Sequence, residues 1–279
     1  MSFAPVLPLG GVAGWALLQR VEGGQREVFE RRPDVARLAA AFEARIASVR
    51  SASELVADRQ LLQVALGAFG LEEEIDKRAF VRRAMESDPA DPRSFANRLV
   101  DARYRSLSAA FGFGAADGPE TARPGFAARI ADSYRERAFE IAVGDSDPAL
   151  RLALNARREL AVYAAGRDPA GAGWFALLGD RPVRRVVDAA LGLPSSFAQL
   201  DVDRQRDELR GRVRAEFGEG SLSVFADPDA VEKVIRRFLA RETATSGPSL
   251  TTPGVAALRL LGGGLGPTGQ QNLLLSIAR

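Results

Sequence analysis

Apolar residues recur at three- and four-residue steps in segment after segment of this sequence, and no stretch of five residues alternates convincingly with period two. That feature decides the fold class. A stripe at helical spacing buries one face of a helix, whereas a strand turns successive side chains to opposite sides. The expectation is an all-α, multi-helical chain of roughly eight helices, with flexible Gly- and Pro-rich termini.

The first stripe is Val35, Leu38, Ala39, Phe42, Ile46 and Val49, opening near Pro33 and Asp34. A segment from Ser53 follows, with Leu55, Leu62, Leu66 and Phe69 inward and Gly67 and Gly70 closing it. Asp76 to Met85 reads as a short charged helix. Residues 87–92 (SDPADP) read as a turn, because each proline fixes its own φ and disfavours helix before it. Ser94 should cap the next helix, with the stripe Phe95, Leu99, Leu107 and Phe111. Beyond a Gly/Pro loop at 112–125, Phe126, Ile130, Tyr134, Ala138 and Ile141 mark another stripe. Ala149 to Ala165 is strongly helical. Trp174 to Leu178 is a compact apolar block expected in the core. Val183 to Leu191 ends at Gly192 and Pro194. Asp203 to Phe217 presents Leu209, Val213 and Phe217. Asp227 and Pro228 open a last helix with Val231, Val234, Ile235, Phe238 and Leu239 inward.

This divides the chain into an irregular N-terminal segment (1–32), a helical first half (33–144), a helical second half (145–241) and a flexible C-terminal tail (242–279). Ala65-Leu66-Gly67 is echoed by Ala190-Leu191-Gly192, and Phe95-Ala96 by Phe225-Ala226, so two related helical halves are expected. The N-terminus is apolar but lacks a basic region and carries Pro5, Pro8 and several glycines, which argues against a cleaved secretory signal. No apolar run approaches the roughly 18 residues that span a bilayer. The tail ends in the apolar stretch Leu273, Leu274, Leu275 and Ile277, which frays or docks on its own body or on a partner.

The chain contains no cysteine and no histidine. Disulfides, thiol nucleophiles, Cys or His zinc sites and Ser-His-Asp triads are therefore excluded. The remaining motifs dissolve on inspection. Residues 264–269 fit G-x-G-x-x-G, but no strand precedes them and no acid follows about 20 residues on, as a dinucleotide site requires. Asp145-Ser146-Asp147 and Asp201-Val202-Asp203 lack the glycine and the twelfth-position glutamate of a calcium loop, so helix capping explains them better. Glu72-Glu73-Glu74 suits a helix start. No catalytic, cofactor-binding or metal-binding residue is assigned. Net charge is only +2, and Arg31-Arg32, Arg82-Arg83 and Arg236-Arg237 lie beside acids. They read as solvated helix faces rather than a nucleic-acid stripe. Trp15 is a candidate partner contact, as are Leu273, Leu274, Leu275 and Ile277.

Several segments in order carry a family resemblance. They are 55–59 (LVADR), 65–71 (ALGAFGL), 96–101 (ANRLVD) with Tyr104, and 139–144 (FEIAVG). They continue through 150–154 (LRLAL), Trp174-Phe175 with Leu178-Gly179, 190–194 (ALGLP) and 200–205 (LDVDRQ). Over residues 40–241 the chain resembles an alphaproteobacterial domain of unknown function whose members are often encoded among flagellar genes. The resemblance implies a non-enzymatic flagellum-associated protein, structural or acting in assembly, with other flagellar proteins or itself as partners. It implies a place in the bacterial flagellum, reached by export without a cleaved signal. The alternative is a cytoplasmic export chaperone or regulator that binds one flagellar subunit. A third reading, a carboxylate hydrolase, predicts a cleft lined by Asp and Glu with raised pKa values. No cofactor is implied.

Overall fold

Aspartates decide where many of the helices begin. Asp58, Asp101, Asp147, Asp180 and Asp201 each accept a backbone N–H from the first turn of the helix that follows, and Asp227 accepts from Asp229 at 3.0 Å. Ser51 does the same for Glu54. The computed structural model describes residues 5–166 and 171–246. Among the described residues there are twelve α-helices and no strand. They are α1 (Gly11–Glu30), α2 (Pro33–Arg45), α3 (Ala52–Ala57), α4 (Arg59–Ala68), α5 (Arg78–Met85) and α6 (Ala102–Phe111). Then come α7 (Phe126–Ser146), α8 (Pro148–Ala165), α9 (Ala172–Gly179), α10 (Arg181–Leu191), α11 (Val202–Phe217) and α12 (Pro228–Ser246). Short 3-10 turns link them at Ile46–Ser48, Glu72–Glu74, Ala96–Arg98, Glu120–Ala122, Ser195–Gln199 and Leu222–Ala226.

The all-α expectation holds, but the helix number does not. Asp58 sits at φ −92°, ψ 104° and divides the segment from Ser53 into α3 and α4. Asp101 likewise divides the stripe Phe95–Phe111, leaving a 3-10 turn before α6, so Ser94 is not its cap. Trp174 to Leu178 forms a helix of its own, α9, with Trp174 2% exposed. The largest correction is at the N-terminus. Most of residues 1–32, expected to be irregular, form the twenty-residue α1. Pro5 and Pro8 lie before it. Gly14 packs so close to the turn behind it that a Cβ there would stand 2.1 Å from the Leu9 carbonyl oxygen. Trp15, Leu18 and Phe29 bury one side of α1, and that packing overrides the poor helix propensity of Gly23 and Gly24. The tail also starts later than expected, because Glu242 pairs with Arg185 at 3.1 Å and α12 runs to Ser246.

One continuous apolar core contains Trp15, Phe42, Phe111, Phe126, Phe139, Trp174, Phe225 and Phe238. Two sets of helices wrap it with the same order of contacts. In the first, α7 packs on α2 and α4, and α3 packs on α4 and α5. In the second, α12 packs on α8 and α10, and α9 packs on α10 and α11. The turn at Glu120–Ala122 meets Ile46–Ser48 and α7; the turn at Leu222–Ala226 meets α8 and α12. Gly70 follows α4 at the same distance from Asp58 as Gly192 lies from Asp180, and both adopt φ +70°. That left-handed geometry lets Leu71 N–H reach the Leu66 carbonyl and Leu193 N–H reach the Asp188 carbonyl, each at 2.9 Å. Gly67, expected to close α4, instead lies within it. Its missing Cβ admits the Tyr134 ring, which such a Cβ would approach to 2.8 Å.

Two elements break the parallel. Residues 86–119, carrying α6, are inserted between α5 and the turn at Glu120–Ala122. Ser87 fixes this insertion: its hydroxyl accepts from Ala96 N–H at 2.9 Å, and its carbonyl accepts from the Ser108 hydroxyl at 2.9 Å. The other is α1, which lies against α12, α7, α8 and α2.

Candidate surface cleft at helices α1, α8 and α12

Where α1 crosses the second half it leaves a cleft of about 480 Å³ between α8, the Leu222–Ala226 turn and the start of α12. Its floor is made by Phe225, Val231 and Ile235, all members of the core. Ala161, Ala226 and Pro228 form exposed walls. Gln19, Arg157, Asp229, Glu232 and Arg236 form the rim.

The rim charges are held in place. Glu232 Oε2 accepts from Trp15 Nε1 and from Gln19 Nε2, each at 2.9 Å, and Oε1 accepts from Arg236 Nε. Burial alone would raise this carboxyl, but the bonds from Trp15, Arg236 and Gln19 outweigh it and keep it below the usual glutamate range. Arg157 stands over the Trp15 ring, 5.3 Å from its centroid, and binds Glu22. Among the described residues no cation pairs with the Asp229 carboxylate.

A smaller cavity of about 220 Å³ adjoins the cleft and shares Arg157 and Ala161 with it. It opens on a charged seam between α1, α7 and α8. Glu140, 6% exposed, takes both arms of Arg158, at 2.9 and 3.1 Å. Arg158 also binds Glu159, and Glu159 takes Arg137 at 2.8 Å. Burial opposes the charge on Arg158, but Glu140 and Glu159 prevail and raise its pKa. Arg137 is lowered, first by burial and then by the neighbouring Arg158 charge. Further along, burial raises Asp180, whose oxygens accept from Val183 N–H at 3.2 Å and from the Tyr163 hydroxyl at 3.1 Å. Burial also raises Asp188, which pairs with Arg184. Neither aspartate lines the two cavities.

Trp15 is not a surface contact. It is wholly buried, and its N–H ties α1 to α12. Leu273, Leu274, Leu275 and Ile277 lie outside the described residues, as does the glycine motif at 264–269. Asp147 and Asp201 cap helices, as their spacing suggested. The arginine pairs are ion-paired helix faces: Arg31 binds Glu27, Arg82 faces Glu86, and Arg237 meets Glu216. Among the described residues no three metal-ligating side chains gather, and no helix is long and apolar enough to cross a membrane. Sequence reasoning missed the cleft, because its residues come from four elements and each reads as ordinary helix stripe or turn.

Fold and cleft together define an all-helical protein whose two sets of helices share one core and present an apolar-floored groove. Residues 68–231 match the family described as protein of unknown function (DUF1217), and the chain belongs to that family. The crystal structure of a structural-genomics protein from Agrobacterium tumefaciens superposes with a TM-score of 0.71 at 24% identity. The alignment covers 88% of this chain and 100% of that one, and the likeness shows a shared fold. Comparison with curated proteins gives no match.

Proposed function

We propose that this chain is a non-enzymatic, flagellum-associated protein that acts in structure or assembly through protein–protein contacts. The observation that carries the contact reading is the groove itself: a floor of Phe225, Val231 and Ile235 under a rim of fixed charge. An apolar centre with a polar rim is the anatomy of a protein interface. The flagellar reading is supported by the ordered segments from Leu55 to Gln205. We also propose that α2–α7 and α8–α12 are two copies of one helical unit, with boundaries close to 33–144 and 145–241. The matched contacts and the equal spacing of Asp58–Gly70 and Asp180–Gly192 support this.

Location tests the function. Immunoblots of hook-basal bodies, culture medium and cytoplasm should show the protein in the first two, and blocking flagellar export should abolish that signal. Signal confined to the cytoplasm in both strains would overturn the structural reading and favour the chaperone. A chaperone forms a small closed complex with its subunit, whereas an axial component polymerises or co-purifies with basal bodies.

A further inference from the structure

We propose that the surface where α5, the Ala96–Arg98 turn and α6 meet docks an acidic segment of a partner protein, with carboxylates on its arginines and an apolar side chain on Phe80. This deepens the protein-contact reading, on which it rests, by naming the partner's chemistry, and it adds a contact surface apart from the cleft.

Three observations lead there. The first is an aromatic cluster that the fold leaves partly open. Phe80 of α5 meets Phe95 and Tyr104, in each case with ring centroids 5.2 Å apart and planes at 74°. Tyr104 is buried and its hydroxyl donates to Glu74, but Phe80 remains 37% exposed. Val100, on the link into α6, is 90% exposed. Aromatic residues and arginine are the types that protein interfaces enrich.

The second is uncommitted charge. Arg78, Arg83, Arg93, Arg98 and Arg105 are exposed, and none has a carboxylate partner among the described residues. The nearby acids are already engaged. Glu72 meets Arg151, Glu74 takes Lys77, Asp76 takes Arg59, Glu86 faces Arg82 and Asp101 takes Arg103. The carboxylates of Asp88 and Asp91 accept the backbone N–H groups of Ala90 and Arg93, at 2.8 and 2.9 Å. Among the described residues Glu73 is left as the one acid of residues 72–105 with neither kind of partner. Five cations therefore stand open to an acidic occupant.

The third is preorganisation. The Arg83 guanidinium lies over the Phe95 ring, 4.5 Å from its centroid. Stacking fixes its plane and leaves its in-plane N–H groups to meet both oxygens of a carboxylate. Asn97 Nδ2 donates to the Asp88, Pro89 and Asp91 carbonyls, at 3.4, 3.0 and 2.7 Å, and so holds the turn that leads into Arg93. Groups held before binding cost less to order. The same geometry favours a protein over a nucleic acid. Base stacking needs open ring faces, whereas Tyr104 is buried and Phe95 already carries Arg83.

The test selects short random peptides on phage against the full chain. The enriched peptides should carry several Asp or Glu around a Leu, Phe or Trp. A synthetic copy of one, read by fluorescence anisotropy, should bind more weakly as salt is added. Arg83→Glu with Arg98→Glu, both exposed positions, should weaken it by about tenfold or more while the helical circular dichroism stays unchanged, and Phe80→Ser should do the same. Arg83→Lys keeps the charge but loses the planar fork, so its loss should be smaller. Amide shifts on binding should fall within residues 78–105. No enriched peptide, neutral or basic enriched peptides, full binding to the arginine variant, or shifts at another surface overturns the proposal. Polyglutamate binding as tightly as the selected peptide removes the apolar anchor and overturns it as well. So does oligothymidylate binding more tightly at the same residues, which would make the occupant a nucleic acid. The fractionation experiment is independent. Acidic peptides selected by a protein absent from basal bodies and medium remove the structural flagellar reading alone, and a basal-body protein that selects none removes only this proposal.

Discussion

Replacing Glu140 by glutamine puts the buried seam to a direct test. The carboxylate is 6% exposed and takes two bonds from Arg158, at 2.9 and 3.1 Å. Bonds to charged groups contribute about 1.5–3 kcal/mol each, and breaking a buried ion pair from one side costs about 3–5 kcal/mol. Two features place this site toward the lower end. Glutamine keeps one acceptor, and Glu159 continues to bind Arg158. The remaining Glu159 must then serve both Arg158 and Arg137. We expect Glu140→Gln to cost about 2–4 kcal/mol, the cost of stranding a buried cation rather than the net worth of the pair. Urea unfolding followed by circular dichroism and by tryptophan fluorescence reads the change as a shift in midpoint at constant slope. The companion variant is Glu140→Met with Arg158→Met. It strands no charge and relieves Arg137 of a like neighbour, so it should recover most of the loss. A single-variant cost near the roughly 0–1 kcal/mol of an exposed pair would refute the burial argument. A double variant as unstable as the sum of the two singles would refute the stranded-charge argument.

Other outcomes follow from the same structure. Gly67→Ala places a Cβ 2.8 Å from the Tyr134 ring between α4 and α7, and should cost about 1–3 kcal/mol by overpacking, read as a lower Tm. Asp180→Asn keeps a cap acceptor for Val183 and a partner for Tyr163 but removes a carboxylate that burial pushes up. The folded carboxyl holds its proton more tightly than the unfolded one, at 3.8, so the native chain loses stability as pH rises from that value through the folded pKa. Asp180→Asn should therefore raise Tm at neutral pH, with the gain shrinking toward pH 4 and below. A gain that is constant across pH would assign the effect to packing.

Helix stripes were readable because burial on one face forces a 3.6-residue period whatever the partner helix is. Helix ends were readable only in part: Pro33, Gly192 and Asp227–Pro228 mark real ones, but others were hidden. At Asp58 and Asp101 the apolar period runs straight through a residue that interrupts the backbone, and only the extended ψ there shows α3 parting from α4 and the 3-10 turn from α6. Glycine misled. Gly67 reads as closing its helix and the glycines near the N-terminus as part of an irregular segment, yet Gly14 and Gly67 each lie inside a helix, where the lack of a Cβ permits a close approach. The cleft had no readable signal at all, since Ala161, Pro228 and Ile235 acquire a shared meaning only when α1 and α12 are brought together.

The internal echo shows how a correct pattern can be set in the wrong register. Sequence identity pairs Gly67 with Gly192 and Phe95 with Phe225, and the two offsets disagree. The contacts pair Gly70 with Gly192, the two residues at φ +70°, and they pair the turn at Leu222–Ala226 with Glu120–Ala122 rather than with Ala96–Arg98. On that register the halves keep step from Asp58 to Gly70 and lose it where residues 86–119 intervene. An insertion packs its own helix, α6, on one half, and among the described residues the other half has no such helix. If that asymmetry made the cleft, removing residues 88–118 and joining the ends should expose apolar surface beside α5 and the Glu120–Ala122 turn. Dye binding to that variant should then exceed that of the intact chain. Equal binding by a folded deletion would show that the cleft owes nothing to the unequal halves.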